Sequence, residues 1–103
     1  MVDQSTAINT VKAFINECQA AGLHFDKVFL FGSYAIGNTH EGSDIDLLMV
    51  SKQFTENIFE NLKLYSKVNI RYPIIETHPY PEKYFTMGDD FIQRVLDHSI
   101  EII

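Results

Sequence analysis

Residues 29–50 carry the sequence FLFGSYAIGNTHEGSDIDLLMV, and this stretch decides the fold. An apolar run ends at Gly32 and Ser33, a glycine-rich connection follows, and a second apolar run begins with Asp44 and Asp46. The apolar residues at positions 45 and 47–50 predict a buried strand. Two carboxylates at the start of a buried strand cost desolvation free energy unless something pairs with them, and a metal ion is the usual partner. The stretch therefore predicts two consecutive strands with a metal site where the second one begins.

The composition is that of an ordinary globular domain. The chain has 103 residues, of which 46% are hydrophobic and 21% are charged, and this predicts one domain over residues 1–103. No apolar stretch approaches the roughly 20 residues of a membrane span, and the first residues lack the basic start and apolar segment of a signal peptide. A single cysteine, Cys18, excludes an internal disulfide and fits a reducing compartment. We therefore expect a cytoplasmic location.

The charge balance limits the choice of partner. A formal net charge of −6 disfavours direct binding to nucleic acid, which depends on Lys and Arg side chains meeting phosphates. The same charge allows a nucleotide that is bound through metal ions, and it attracts a basic protein. The net charge does not decide whether the chain forms a homo-oligomer.

The hydrophobic periodicity predicts a small α/β (α+β) fold. Pro73 favours an edge position for the extended segment around it, and residues 78–81, with their two prolines, are expected to be irregular. Asn57 and Asn61 are expected on the exposed side of a helix. These elements predict a small mixed β-sheet with helices mainly on one face. The predicted helices are 4–21, 34–37, 53–66, 82–85 and 89–98, and the predicted strands are 27–31, 45–50, 68–77 (most convincingly 74–76) and 100–103.

The two aspartates suit a metal ion, and the Gly-Ser turn suits the phosphates that such an ion accompanies. Side chains two residues apart on a strand point to the same face, so Asp44 and Asp46 can converge on one divalent cation or hold two. Hard oxygen ligands without a nearby cysteine favour Mg²⁺ or Mn²⁺. Gly32 and Ser33 lie between a strand and a short helix, where free backbone N–H groups and a hydroxyl can receive phosphate oxygens. Together they predict a site for a metal–nucleoside triphosphate.

The spacing of the residues excludes two other phosphate- or metal-binding motifs. No Gly-Lys-Ser/Thr follows the glycines, which excludes a P-loop. An EF-hand that began at Asp44 would have Met49 at the position of the turn glycine and Thr55 at that of the bidentate glutamate.

The two-part motif Gly32-Ser33, ten residues, Asp44-Ile45-Asp46 resembles the signature of the DNA polymerase β-like nucleotidyltransferase superfamily. The short runs GSYAIG and SDIDLLMV resemble its small branch, the minimal nucleotidyltransferases. The resemblance implies the nucleotidyltransferase fold and a third carboxylate on a later strand. Glu76 occupies the matching position after Ile74 and Ile75, and the alternative is a surface charge on an edge strand. Glu82 and Asp89 are less favoured as the third carboxylate, because they lie in irregular or helix-capping contexts.

The resemblance also implies a reaction. A hydroxyl attacks the α-phosphate of ATP or another nucleoside triphosphate in line, and pyrophosphate leaves. Two Mg²⁺ ions, held by Asp44, Asp46 and Glu76, would stabilise the attacking and leaving oxygens. Small members of the branch resemble antitoxins that are encoded beside a helical HEPN toxin, some of which modify that toxin with AMP. The acceptor is then a partner protein.

Ile36 departs from the family pattern, because many relatives have a basic residue just before the second glycine. Lys52 and Arg71 are the candidates for replacing that charge. The departure favours an alternative, a non-catalytic nucleotide-binding or partner-neutralising antitoxin module with a vestigial site. His40 and His78 can reach a phosphate, but solvated residues are the favoured interpretation for both.

Overall fold

The computed structural model describes residues 3–39 and 42–103. His40, in the loop between the two halves of the motif, therefore lies outside the described residues. None of the described helices has the length and apolar character needed to cross a membrane. The helices are α1 (Gln4–Ala20), α2 (Ser33–Ile36), α3 (Ile58–Asn69), α4 (Glu82–Met87) and α5 (Asp90–Asp97), and the strands are β1 (Lys27–Phe31), β2 (Ile45–Ser51), β3 (Ile75–Pro81) and β4 (Ile100–Glu101).

The strands form one mixed sheet in the order β3-β2-β1-β4. β1 runs antiparallel to both β2 and β4, whereas β2 and β3 are parallel. The continuous apolar run of β2 places it inside the sheet, where its residues from Leu47 onward are buried. The predicted fold class, a mixed sheet with helices, is confirmed.

Helices cover both faces of the sheet. The two longest, α1 and α3, pack over one face together with Leu47 and Met49 of β2. The short helices α4 and α5 contribute Phe85, Ile92 and Val95 to a second cluster, on the face of Leu48 and Val50. Alternate residues of the same strand thus belong to different clusters, as the period of two requires.

Helix α3 begins five residues later than predicted, at Ile58 rather than at residue 53. The side-chain oxygen of Asn57 accepts hydrogen bonds from the backbone N–H groups of Phe59 (2.9 Å) and Glu60 (3.3 Å), and so caps the helix. The expectation that Asn61 is exposed is wrong. Its buried amide accepts from Thr55 N and donates to Thr55 O, both at 2.8 Å, and fixes the preceding loop.

Strand β3 includes the residues that were expected to be irregular, His78 to Pro81. The carbonyl of Ile74 accepts from Ile45 N at 2.8 Å, so the backbone groups of even-numbered residues point toward β2. Pro79 and Pro81 lie at the alternate positions, on the outer edge, where a missing N–H removes no hydrogen bond of the sheet. Pro73 precedes the strand, in a turn.

Candidate active site

The parallel register of β2 and β3 brings together the acidic residues of both strands. Asp46 is paired with Glu76, and Leu48 with His78. One ligand atom each from Asp46, Glu76 and His78 lies within 4.8 Å of the others. Because residues two apart on a strand share a face, Glu76 and His78 both point to the side of the sheet on which Asp46 lies.

Gly32 brings the backbone of the Gly-Ser turn against this cluster. Phe31, the last residue of β1, is paired with Asp46, and Gly32 follows with φ +75° and ψ −154°. A Cβ at Gly32 would overlap Oδ2 of Asp46 and lie 3.1 Å from its Cγ. Only glycine fits here, for both its conformation and its lack of a side chain. The two halves of the sequence motif are therefore in direct contact.

Helix α2 begins directly after Gly32. The carbonyl of Gly32 accepts hydrogen bonds from Ala35 N (3.1 Å) and Ile36 N (3.3 Å), and no side chain caps the helix. The N–H groups of the first helical residues have no intrahelical partner, and half-buried Ser33 carries one of them together with a hydroxyl. This backbone suits the oxygens of a phosphate.

Asp46 and Glu76 place two carboxylates close together, and of the groups that shift the pKa of Asp46 only His78 favours its ionised form. Burial, followed by the neighbouring Glu76, raises the pKa of the Asp46 carboxyl to about 6. His78 opposes this effect and favours the charged form of Asp46. A bound cation would act in the same direction as His78, since it stabilises the ionised carboxylates.

His78 belongs to the site, although the sequence favoured a solvated residue. The centroid of its ring lies 5.1 Å from the ring centroid of Phe31 and 5.9 Å from that of Phe91. Its Nε2 is 3.7 Å from Oδ1 of Asp46 and is buried, with no hydrogen-bond partner among the described residues. The signal available in the sequence was its position two residues after Glu76, on the same face of one strand.

The other carboxylates considered from the sequence are not members of this group of three. Asp44 is exposed, immediately before β2, and does not belong to the group of three. Asp89, a rejected alternative to Glu76, caps α5 by accepting from Ile92 N at 2.8 Å. Glu82 opens α4. Ile36, at the end of α2, is 59% exposed.

The donor set fits a divalent cation. Asp46 and Glu76 offer carboxylate oxygens from adjacent strands, and the buried Nε2 of His78 has no protein partner among the described residues. Carboxylates shared with substrate phosphates are the usual environment of Mg²⁺ in proteins.

Comparison with known proteins assigns the family. Residues 11–102 match the nucleotidyltransferase domain family. Over 79 residues the chain is 32% identical to a protein of Methanocaldococcus jannaschii that is provisionally named a protein adenylyltransferase, covering 75% of this chain and 78% of that protein. The chain belongs to the nucleotidyltransferase family and is a nucleotidyltransferase.

Solved structures share the fold. A provisionally named nucleotidyltransferase from Sulfolobus solfataricus superposes with a TM-score of 0.70 at 23% identity, over 95% of this chain and 80% of that one. A complex of tri-AMPylated Shewanella oneidensis HEPN toxin with MNT antitoxin contains a chain that matches with a TM-score of 0.57 at 15% identity, over 97% of this chain and 71% of that one. The predicted resemblance to nucleotidyltransferases is confirmed by the family match, and these structures confirm the predicted fold.

Proposed function

We propose that this protein transfers AMP from ATP to a hydroxyl group of a protein partner in the cytoplasm, with Mg²⁺ as the required ion. The observation that carries the proposal is the contact of Gly32 with Asp46, beside Glu76 and His78. It joins a backbone that suits phosphate to carboxylates that suit a cation. A metal–nucleoside triphosphate needs both at once.

Each residue of the site then has a chemical task. Asp46 and Glu76, with Asp44 from the preceding loop, would hold the Mg²⁺ ions, which supply Lewis-acid stabilisation of the phosphoryl oxygens. Gly32 and Ser33 bind the phosphates through backbone N–H groups and the hydroxyl. His78 orients Asp46 from 3.7 Å.

The acceptor hydroxyl attacks the α-phosphorus and loses its proton to Glu76, which is exposed enough to meet it. The new oxygen–phosphorus bond forms as the bond to the bridging oxygen breaks. Pyrophosphate leaves, and AMP remains on the partner.

A protein acceptor is supported by relatives and by charge. The Methanocaldococcus jannaschii relative bears the name of a protein adenylyltransferase, and the Shewanella oneidensis complex joins an AMPylated HEPN toxin to an MNT antitoxin. The net charge of −6 attracts a basic partner. The proposed partner is accordingly a helical HEPN-type toxin, for which this chain would be the antitoxin.

The test is transfer of label from α-³²P-ATP, with Mg²⁺, to the protein that co-purifies with this chain. We expect transfer by the wild type and a loss of at least 100-fold in Asp46→Asn or Glu76→Gln, since each removes charge at the reacting phosphate. Glu60→Gln, on the exposed surface of α3, is the matched control and should retain activity. Absence of transfer by the wild type contradicts the proposal.

Ile36 supports a second candidate, a non-catalytic antitoxin. It places an exposed apolar side chain where many relatives have a cation. Such a module would still neutralise the partner when Asp44→Asn and Asp46→Asn are combined, and it would transfer no label at any stage. Neutralisation that depends on these two aspartates excludes this alternative.

A further inference from the structure

A cleft of about 300 Å³ adjoins Gly32. It lies between α2 and α5, with Phe31, Phe91 and Val95 among its apolar walls. Ile36 lines it from the end of α2, and Arg94 lines it from the last turn of α5. The cleft therefore extends from Gly32 to Arg94.

Arg94 is available to a ligand, whereas most other cations of the protein are not. It makes no ion pair or hydrogen bond with any residue that the structure describes, and its side chain is exposed. Of the 8 basic residues in the sequence, five are within 4.0 Å of a carboxylate: Lys27, Lys52, Lys63, Arg71 and Lys83.

The sequence suggested Lys52 and Arg71 as substitutes for a basic residue at position 36, but both form ion pairs elsewhere in the protein. Lys52 follows the far end of β2 and pairs with Asp26 at 3.7 Å. Arg71 lies beyond the end of α3 and pairs with Glu17 at 2.5 Å. Neither lines the cleft beside Gly32, where Arg94 carries a permanent charge and His98 is the second basic side chain.

A triphosphate that is bound at Gly32 needs positive charge beside the phosphates that enter the cleft. The carboxylates of Asp46 and Glu76 repel phosphate, and the protein as a whole carries a net charge of −6. Cations held by these carboxylates would neutralise part of the charge of the triphosphate. A guanidinium group binds a phosphate with two parallel hydrogen bonds, and apolar walls reduce the screening of that interaction by water.

We propose that Arg94 binds the β- and γ-phosphates of ATP in the cleft beside Gly32, and so supplies from α5 the charge that Ile36 does not supply from α2. This inference rests on the proposed function. Arg94 is a binding residue: it holds the pyrophosphate portion through transfer and stabilises the charge that develops there as the bond to the α-phosphorus breaks.

The proposal is tested by calorimetric titration of the 103-residue chain with two ligands in Mg²⁺. One is an ATP analogue with a methylene bridge between the α- and β-phosphorus, and the other is AMP. Arg94→Ala should weaken binding of the analogue about tenfold or more, as expected for loss of a charge-assisted hydrogen bond, and should leave binding of AMP unchanged. Lys67→Ala removes a cation from the last turn of α3 and is the matched control.

A compensating variant makes the test independent of folding defects. Arg94→Ala combined with Ile36→Arg returns a cation to the same cleft from its opposite wall, and should recover most of the lost affinity. Equal binding of the analogue by the wild type and Arg94→Ala overturns the inference, as does an equal loss of AMP binding. A wild type that binds neither ligand overturns the proposed function itself.

Discussion

Gly32 and Gly37 offer a comparison at the scale of single residues. Both have φ of +75°, but Gly37 has ψ +18° in the left-handed helical region, whereas Gly32 has ψ −154° in a region open almost only to glycine. Alanine is therefore strained at both positions, and more at Gly32. Their surroundings differ, because a Cβ at Gly32 meets Asp46 whereas a Cβ at Gly37 has no described atom within 4 Å. The difference between the two variants therefore combines the larger strain at Gly32 with the loss of the contact that joins the halves of the site.

Gly32→Ala should therefore reduce AMP transfer by at least 100-fold, and Gly37→Ala by less than about threefold. Gly37→Ala should lower the free energy of unfolding by about 1 kcal/mol from strain, and Gly32→Ala by more, from its less accessible backbone conformation and from displacement of the Asp46 side chain. Urea unfolding and label transfer measure the two effects. Equal activity of the two variants would contradict the role of Gly32.

Asp46 should make the metal-free protein less stable as pH rises. Its folded pKa of about 6 exceeds its ordinary value of 3.8, so the folded state binds the extra proton. The favourable contribution of protonated Asp46 is complete below pH 3.8 and is lost as pH rises through 6. Asp46→Asn escapes this loss and should be the more stable protein above pH 6, by about 1–2 kcal/mol after allowance for solvent screening.

Urea unfolding in EDTA at pH 5 and pH 8 measures this effect. The advantage of Asp46→Asn should be larger at pH 8, and smaller in a Glu76→Gln background, since the charge of Glu76 contributes to the shift. Mg²⁺ should stabilise the wild type more than the variant. An advantage that does not change with pH would refute the electrostatic argument.

At the scale of elements, the sequence predicted best where the hydrophobic pattern was unambiguous. The bounds of β1 agree with the prediction, and those of β2 differ by one residue. The start of α3 was wrong because Asn57 and Asn61 are weak helix formers whose side chains serve as cap and loop brace. Their roles depend on contacts that periodicity does not encode.

Among the features of the fold, the parallel pairing of β2 with β3 was the hardest to predict from the sequence. Two prolines argued against a strand at residues 79–81, yet at the outer edge of the sheet they cost no hydrogen bond. Without that register His78 could not be placed beside Asp46, and without α5 no cation could be placed beside Gly32. The sequence motif thus predicted that Gly32 and Asp46 lie together at the centre of the candidate site, and tertiary packing supplied its surroundings.

At the scale of the whole molecule, two apolar clusters share the central strands. Cys18 of α1 is fully buried in one of them, and Ile92 of α5 is buried in the other, across the sheet. Because alternate residues of β1 and β2 belong to different clusters, neither cluster can separate without disturbing both strands. We therefore expect the domain to unfold as one cooperative unit.

Labelling of Cys18 by a thiol reagent tests this cooperativity. Burial, aided by the charge of Glu17, raises the pKa of the thiol to about 12, so the native thiol is nearly inert and reaction requires opening of the domain. Ile92→Ala should lower the free energy of unfolding by about 2–4 kcal/mol and accelerate labelling about tenfold for each 1.4 kcal/mol lost. Ile58→Ala, at a position 68% exposed, should leave the rate near that of the wild type. If Ile92→Ala lowers stability to urea while labelling stays unchanged, α5 opens separately from the sheet, and the cleft that contains Arg94 would open with it.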